Sequence, residues 1–302
     1  MRKIAVLGSI NIDYFVKLEE FPQIGETITA QQLDLLYGGK GANQAVSAGK
    51  LNGDVTFFGS VGDDAIGDDI LANFKEHGIK TKYVQRVSNV NTGSAFVLSN
   101  SEDNQIIVIE GANKYTNIEY VESHLEQILE HDIFLLQFEI PMETIEFIVP
   151  ILAENDKTII IDPAPAQRLP RDIFEKCTFI LPNEHEARFL FEENLSLEEH
   201  LEENPNKIIV TKGEEGVYYH NGKEIIHIPS IKTKVIDTTG AGDSFAGAFA
   251  LGISEGLSIA SSIHLGMKAA SFAISHQGAQ TGMPNRSDLG LKDGSYNYEG
   301  KI

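Results

Sequence analysis

Asp237-Thr238-Thr239-Gly240-Ala241-Gly242-Asp243-Ser244-Phe245-Ala246-Gly247-Ala248-Phe249 is a polar, glycine-rich turn that opens directly into an apolar helix. Gly240 and Gly242 allow the backbone to approach a ligand more closely than residues with side chains would. The first turn of the following helix offers unpaired N–H groups and the positive end of a dipole, a seat for phosphate or a developing anion. Asp243 stands in that seat, where a carboxylate competes with an anionic ligand unless it has another task. Taking a proton from an attacking hydroxyl would be such a task. The plainer reading is an N-capping Asp behind a glycine-rich loop. At this point both stand.

The chain before this turn alternates strands with helices. Ile4–Gly8 is a compact apolar run ending in Gly-Ser, as a buried parallel strand does where it reaches the functional edge of a sheet. Val55–Gly59 reads as a strand, and Asp63/Asp64 cap a helix over Ala65–His77. Ile118–Glu130 and Met142–Glu154 read as helices, and Ile133–Gln137, Thr158–Asp162, Phe179–Leu181 and Lys207–Thr211 as strands. A hairpin follows over Val217–Ile228, and small-residue helices over Ser244–Glu255 and Ile259–Ser275 complete the core. Such alternation specifies a mostly parallel sheet covered on both faces, a three-layer α/β/α class. Ligands of such sheets bind beyond the carboxyl ends of the strands. The polar clusters Asn11/Asp13, Glu139, Asp162, Asn183/Glu186 and Lys212/Gly213 fall at those ends, which favours a small-molecule site over scattered surface polarity.

Two β-prone insertions interrupt the alternation. Tyr14–Leu18 and Thr27–Leu36 flank a turn at Phe21–Gly25, and Gly93–Leu98 and Gln105–Ile109 flank a polar hairpin turn. Tyr37-Gly38-Gly39-Lys40-Gly41-Ala42-Asn43-Gln44 then opens a small-residue helix over Ala45–Leu51. The 302 residues show no linker and no repeat, so a single domain spanning 1–302 is expected, and 42% hydrophobic content is ample for its core. A net charge of −20 argues against nucleic acid or an anionic membrane as partner. The single cysteine, Cys177, excludes an intramolecular disulfide and reads as a core residue. The start of the chain is too short an apolar run for a signal peptide, and no stretch approaches the ~18 apolar residues of a membrane span. A cytoplasmic protein is the expectation. Glu192–Asn206 reads as a weakly patterned, solvated connection, and Asn285–Ile302 as a loosely held tail.

Gly39-Lys40 and Gly49-Lys50 lack the spacing and the Ser/Thr of a Walker A loop, and no Gly-x-Gly-x-x-Gly follows a strand. What remains is a phosphate-compatible helix start with an Asp, a second glycine-rich segment with Lys40 and Asn43, and several hydroxyl-binding side chains. Six stretches in order carry a resemblance: Ser9–Asp13, Gly38–Val46, Asp162–Ala166, Pro182–Glu184, Asp237–Asp243 and Gly278–Gln280. Over residues 1–284 the chain resembles the PfkB family of carbohydrate kinases, with their ribokinase-like α/β/α fold and small β-sheet lid, here from the insertions near 11–38 and 92–109.

The resemblance implies transfer of the ATP γ-phosphoryl group to the 5-hydroxyl of D-ribose. By similarity Asn11, Asp13, Gly39, Lys40, Asn43 and Glu139 hold the sugar. Asp243 is the general base, and Ala241, Gly242 and the Asp243 N–H form an anion hole. Asn183 and Glu186 act on Mg²⁺, while Thr211, Gly213, Ala241, Gly242 and Met267 lie along the nucleotide. A monovalent cation, K⁺, falls to Asp237, Thr239, Ala273, His276, Gly278 and Gly282. The lid also implies a homodimer.

Plainer readings stand beside these. Lys40 could be a surface lysine, Asn183/Glu186 a capping box, and Glu139 a strand end. Histidines 185, 220, 227 and 264 have no metal-ligand spacing. The segment between Phe191 and Lys207 is short for the family, lacking a full helix, and the tail after Pro284 is not the usual amphipathic helix. Met267 stands where a polar or aromatic residue often meets the base of the nucleotide, which leaves nucleotide preference open. The rival functions are a kinase of the same family for another sugar, deoxyribose or a nucleoside, and a non-catalytic sugar-binding regulator on the same fold.

Overall fold

In the computed structural model, which describes residues 1–101, 103–190 and 196–291, β1 (Ile4–Leu7) is wholly buried. β2 (Asn11–Lys17) leaves the core, and β3 (Gln32–Gly38) returns antiparallel to it. α1 (Lys40–Lys50) starts five residues earlier than expected, so Lys40, Asn43 and Gln44 sit in its first turns. Its N-cap, Gly39, has φ 87°, and a Cβ there would stand 2.7 Å from the Asn11 N. Only glycine fits that approach. β4 (Val55–Gly62) is entirely buried, and Asp64 caps α2 (Ala65–Glu76) by accepting from the Gly67 N–H.

β5 (Lys80–Val87) is a strand that the sequence reading lacked. It is the sheet's edge, and its exposed Lys80, Lys82 and Arg86 break the apolar pattern while guarding that edge. β6 (Gly93–Ser99) and β7 (Asn104–Ile109) form the expected hairpin. The single helix expected over 118–130 is two, α3 (Ile118–Ser123) and α4 (Leu125–Ile128). At the break the His124 ring bonds the Tyr120 carbonyl, which an unbroken helix would give to a backbone N–H.

β8 (Ile133–Gln137), α5 (Met142–Glu154) and β9 (Thr158–Asp162) have the expected bounds. They are followed by α6 (Arg171–Lys176), β10 (Phe179–Ile180) and α7 (Glu184–Leu190). α8 (Leu197–Glu203) corrects the reading of this region as a patternless connection. Ser196 and Glu199 form a capping box, and the helix buries Leu201 against Ile208 and Val210. Residues 191–195, also in that reading, lie outside the described residues. β11 (Ile209–Thr211), β12 (Val217–His220) and β13 (Ile225–Ile228) form an antiparallel sheet, and α9 (Ala241–Ser254), α10 (Ile259–Ala273) and the single turn α11 (Ala279–Gly282) close the order. The tail is not loosely held as far as Leu291: Arg286 is buried, pairs with Glu255 at 2.7 Å and donates to the Leu51 carbonyl. Residues 292–302 lie outside the described residues.

The central sheet has the order β10-β9-β8-β1-β4-β5 with every pair parallel. Parallel bridges at Ile180–Ile208 and Asn183–Thr211 connect it to the β11–β13 sheet. Alternate residues of β1 enter different cores. Ile4 and Val6 pack with α1, α9 and α10, whereas Ala5 and Leu7 pack with α3, α5 and α6. Helices therefore cover both faces, giving the three layers. A separate four-stranded sheet, β3-β2-β6-β7, stands beyond the carboxyl edge of β1. No helix among the described residues is long and apolar enough to cross a membrane.

Candidate active site

Gly240, with φ 74°, is the N-cap of α9, which puts Asp243 inside the first turn. The N-capping alternative for Asp243 therefore falls. The first bond of the helix runs from the Ser244 N–H to the Gly240 carbonyl, and the Ala241 N–H is used by Thr238 at 3.2 Å. The N–H groups of Gly242 and Asp243 are left as the free donors of the turn. Ala241 contributes backbone to the cleft but not, as expected, a donor.

Asp243 is buried, and each of its oxygens accepts an amide N–H: Oδ2 from Asn43 Nδ2 at 2.9 Å and Oδ1 from Gln44 Nε2 at 3.1 Å. Burial raises its proton affinity above the ordinary carboxyl range, against the opposing pull of Lys40, Asn43 and Gln44. Lys40 loses by burial but gains more from Asp243, Asp162, Glu139 and Glu186, so its ammonium holds its proton more firmly than usual. A cleft of about 160 Å³ is lined by Lys40, Asp162, Asn183, Glu186, Thr211 and the 240–243 turn, among others. A Cβ added at Gly242 would enter open space there, with nothing within 4 Å.

A second cavity of about 630 Å³ lies beside Asn11, Asn113, Glu139 and Gln167. Glu139 links the two hollows, accepting from the Lys40 backbone N–H at 3.0 Å and from Ser9 Oγ at 2.6 Å. Asp13 and Asn11 project from the same face of β2, two residues apart. Burial, then Glu139 and Asp243, raise Asp13 to about 7. Its carboxylate lies against Gly38, where a Cβ would come within 2.2 Å of Oδ2.

Asn183 and Glu186 form a reciprocal cap, each side chain accepting the other's backbone N–H at 2.8 Å, while both also line the cleft. The Asp237 carboxylate accepts from the Thr239 N–H at 2.9 Å and the Gly278 N–H at 2.8 Å. Burial opposes ionisation of Asp237, but these bonds hold it below the ordinary range. They bring together the two segments that carry Thr239, Ala273, His276, Gly278 and Gly282. Two expected residues stand apart. Met267 is buried in the core and Gly213 is exposed beyond the end of β11, and neither lines the cleft.

Four residues with no role in the sequence reading also build the site. Gln44 donates to Asp162 at 2.7 Å as well as to Asp243, and Gln137 donates to Gln44 at 2.6 Å. Gln280 donates to Asn43 Oδ1 at 3.0 Å. Asn113 donates to Asn11 Oδ1 at 2.8 Å and accepts from the Ile10 N–H. Gln44 and Gln280 stood within quoted motifs, which was the one signal available. Asn43 itself spends both ends of its amide on protein partners.

A parallel α/β sheet whose carboxyl edge carries a helix-start anion seat, a half-buried lysine and a clustered set of acids defines an enzyme of small-molecule group transfer. Residues 1–286 match the pfkB family carbohydrate kinases. A ribokinase of Lactococcus lactis subsp. lactis is 43% identical, with 97% of each chain covered. The structure of a Thermotoga maritima ribokinase superposes with TM-score 0.87 at 36% identity, covering 96% of this chain and 98% of that one. An Arabidopsis thaliana ribokinase complexed with ribose and ATP gives TM-score 0.87 at 31% identity over 95% and 97%. The chain belongs to the pfkB family of carbohydrate kinases.

Proposed function

We infer that the chain catalyses ATP-dependent phosphorylation of D-ribose, moving the γ-phosphoryl group to the 5-hydroxyl. The observation that carries this reading is Asp243: a buried carboxylate, given one amide N–H per oxygen, in the first turn of α9 beside Lys40. Asp243 takes the proton of the sugar hydroxyl as its oxygen attacks phosphorus. The Gly242 and Asp243 N–H groups and the Lys40 ammonium face the charge on the transferred group. Phosphoryl transfer needs positioning and charge neutralisation more than covalent catalysis, and this set supplies both.

Asn11, Asp13, Gly39, Lys40 and Glu139 hold the sugar, and Asn43 acts on it through Asp243. The nucleotide runs along Thr211 and the 240–242 turn, with Gly213 farther out. The four-stranded sheet is the lid of a single domain, closing over the sugar and excluding water as a competing acceptor. Its outer face carries Leu33, Leu35 and Ile107, each more than half exposed, around the stacked Tyr14–Phe96 pair. That face suits a second copy of the chain, hence a homodimer through the lid.

Asn183 and Glu186 keep oxygen lone pairs beyond those used in capping, which suits Mg²⁺ held largely through water. When bound, the ion neutralises phosphate oxygens. The ionised Asp237 and the carbonyls of Thr239, Ala273, His276, Gly278 and Gly282 are an oxygen set suited to K⁺. ATP as co-substrate goes with a cytoplasmic setting.

The test is a coupled assay of ADP release across ribose, deoxyribose, fructose and adenosine, with and without K⁺. Ribose should give the highest kcat/KM. Absence of turnover with every acceptor would sink the kinase reading, and preference for another acceptor would move the substrate within the family.

A further inference from the structure

Both oxygens of Asp243 receive their N–H from the end of a chain of side-chain amides. In the longer chain Asn73 Nδ2 donates to Gln280 Oε1 at 2.9 Å, Gln280 Nε2 to Asn43 Oδ1 at 3.0 Å, and Asn43 Nδ2 to Asp243 Oδ2 at 2.9 Å. In the shorter one Gln137 Nε2 donates to Gln44 Oε1, and Gln44 Nε2 divides its hydrogens between Asp243 and Asp162. Gln280, Asn43 and Gln44 all point the same way, each oxygen receiving from the amide behind and each nitrogen giving ahead.

Polarity is what such a chain controls. An isolated Asn43 amide could turn by half a revolution and set its oxygen against the Asp243 carboxylate. Gln280 opposes that turn, because its N–H would then meet the Asn43 NH₂ group. Gln280 is buried on α11 and does not itself touch Asp243. Its backbone carbonyl receives Lys50 Nζ at 3.3 Å, which helps to anchor the turn.

We propose that Gln280 is a positioning residue for the phosphoryl transfer: it fixes the polarity of the Asn43 amide so that the catalytic carboxylate always meets a donor. The inference rests on Asp243 as general base. The charged groups around that carboxylate are Lys40 of α1, Asp162 at the end of β9, Glu139 after β8 and Asp13 of β2. The three acids and burial favour a protonated Asp243, while Lys40 and the two amides favour the ionised form. Losing the fixed polarity of one amide leaves the base holding its proton to higher pH.

The variants are Gln280→Met, which keeps volume without polarity, Gln280→Glu, which keeps shape but offers only acceptors, and Asn73→Ala, which removes the anchor behind Gln280. Ribose kcat and KM are measured from pH 5 to 9, with melting temperature in parallel. In Gln280→Met the acid limb of kcat/KM should rise by about one pH unit, so that the rate at a pH on that limb falls about tenfold, with ribose KM nearly unchanged. Gln280→Glu should lose more, because its carboxylate draws the Asn43 N–H away from the base. Asn73→Ala should shift the limb the same way by less. A merely structural role would lower the melting temperature and leave the limb in place, and an unmoved limb overturns the proposal. Should neither Gln280 variant fold, the Asn73→Ala limb decides in the same two directions. Asp243→Asn separates the two readings: retained turnover removes the base itself, whereas a dead Asp243→Asn with unmoved Gln280 limbs removes only the positioning role.

Discussion

Asp13→Asn should make the unliganded protein more stable at pH 8 and worse at its work. The substitution keeps shape and removes the charge, exchanging one acceptor oxygen for an NH₂ group, and the carboxylate it replaces lies against Gly38. Asp13 is raised from 3.8 to about 7, by burial first and by Glu139 and Asp243 next. A carboxyl raised in the folded state binds more protons there than in the unfolded chain, so its contribution to stability is present below pH ~4 and is lost as pH rises through about 7. The gap of about 3 units sets a ceiling of ~4 kcal/mol. Asp13 is only half-buried, and solvent screening brings the realistic figure to about 2 kcal/mol. For a chain of this size that is a melting temperature higher by about 4 °C at pH 8. The gain should fade as pH drops, because protonated Asp and Asn are equivalent near pH 4. Thermal melts of both proteins from pH 4 to 8, with ribose titrated calorimetrically at pH 8, provide the assay. Ribose affinity should fall by about 10–100-fold, the range for a hydrogen bond to a charged acceptor. A stability gain that does not vary with pH, or a loss at pH 8, would refute the electrostatic account of the site.

Gly242→Ala should leave the melting temperature nearly unchanged, since the added methyl meets no protein atom, yet cut kcat/KM by about 10²-fold by filling the anion seat; steady-state kinetics with ATP varied will show it. Asn113→Ala should raise ribose KM more than it lowers kcat, because the Asn11 amide loses the partner that orients it. It should also cost about 2–3 kcal/mol, because the buried Ile10 N–H loses its acceptor; chemical denaturation measures that loss. Asp237→Ala should abolish activation by K⁺ while leaving ribose affinity near its original value, read by assays in K⁺ against Na⁺ and by ribose calorimetry.

What could be read from the sequence was whatever declares itself locally. β8 and β9 were legible to the residue because each is a nearly unbroken buried run, and α5 because Ile145, Ile148, Val149 and Leu152 recur at helical spacing between clear stops. The seat at α9 was legible because a glycine turn before an apolar helix makes free N–H groups wherever it occurs. β5 was not legible, since an edge strand with Lys80, Lys82 and Arg86 facing solvent imitates a loop. The amides around the base were hidden for a different reason. Gln280 and Asn43 stand 237 positions apart, and neither residue type announces whether it will give or receive. A carboxylate or a lysine brings a fixed sign to any site it enters. An amide brings both signs, and the partner behind it chooses which one the site receives. Asp243 could therefore be found in the sequence, with Lys40, Asn43 and Glu139, whereas the amides that fix which end of Asn43 and Gln44 it meets appear only once the fold has joined α1, α2, β8 and α11 around it.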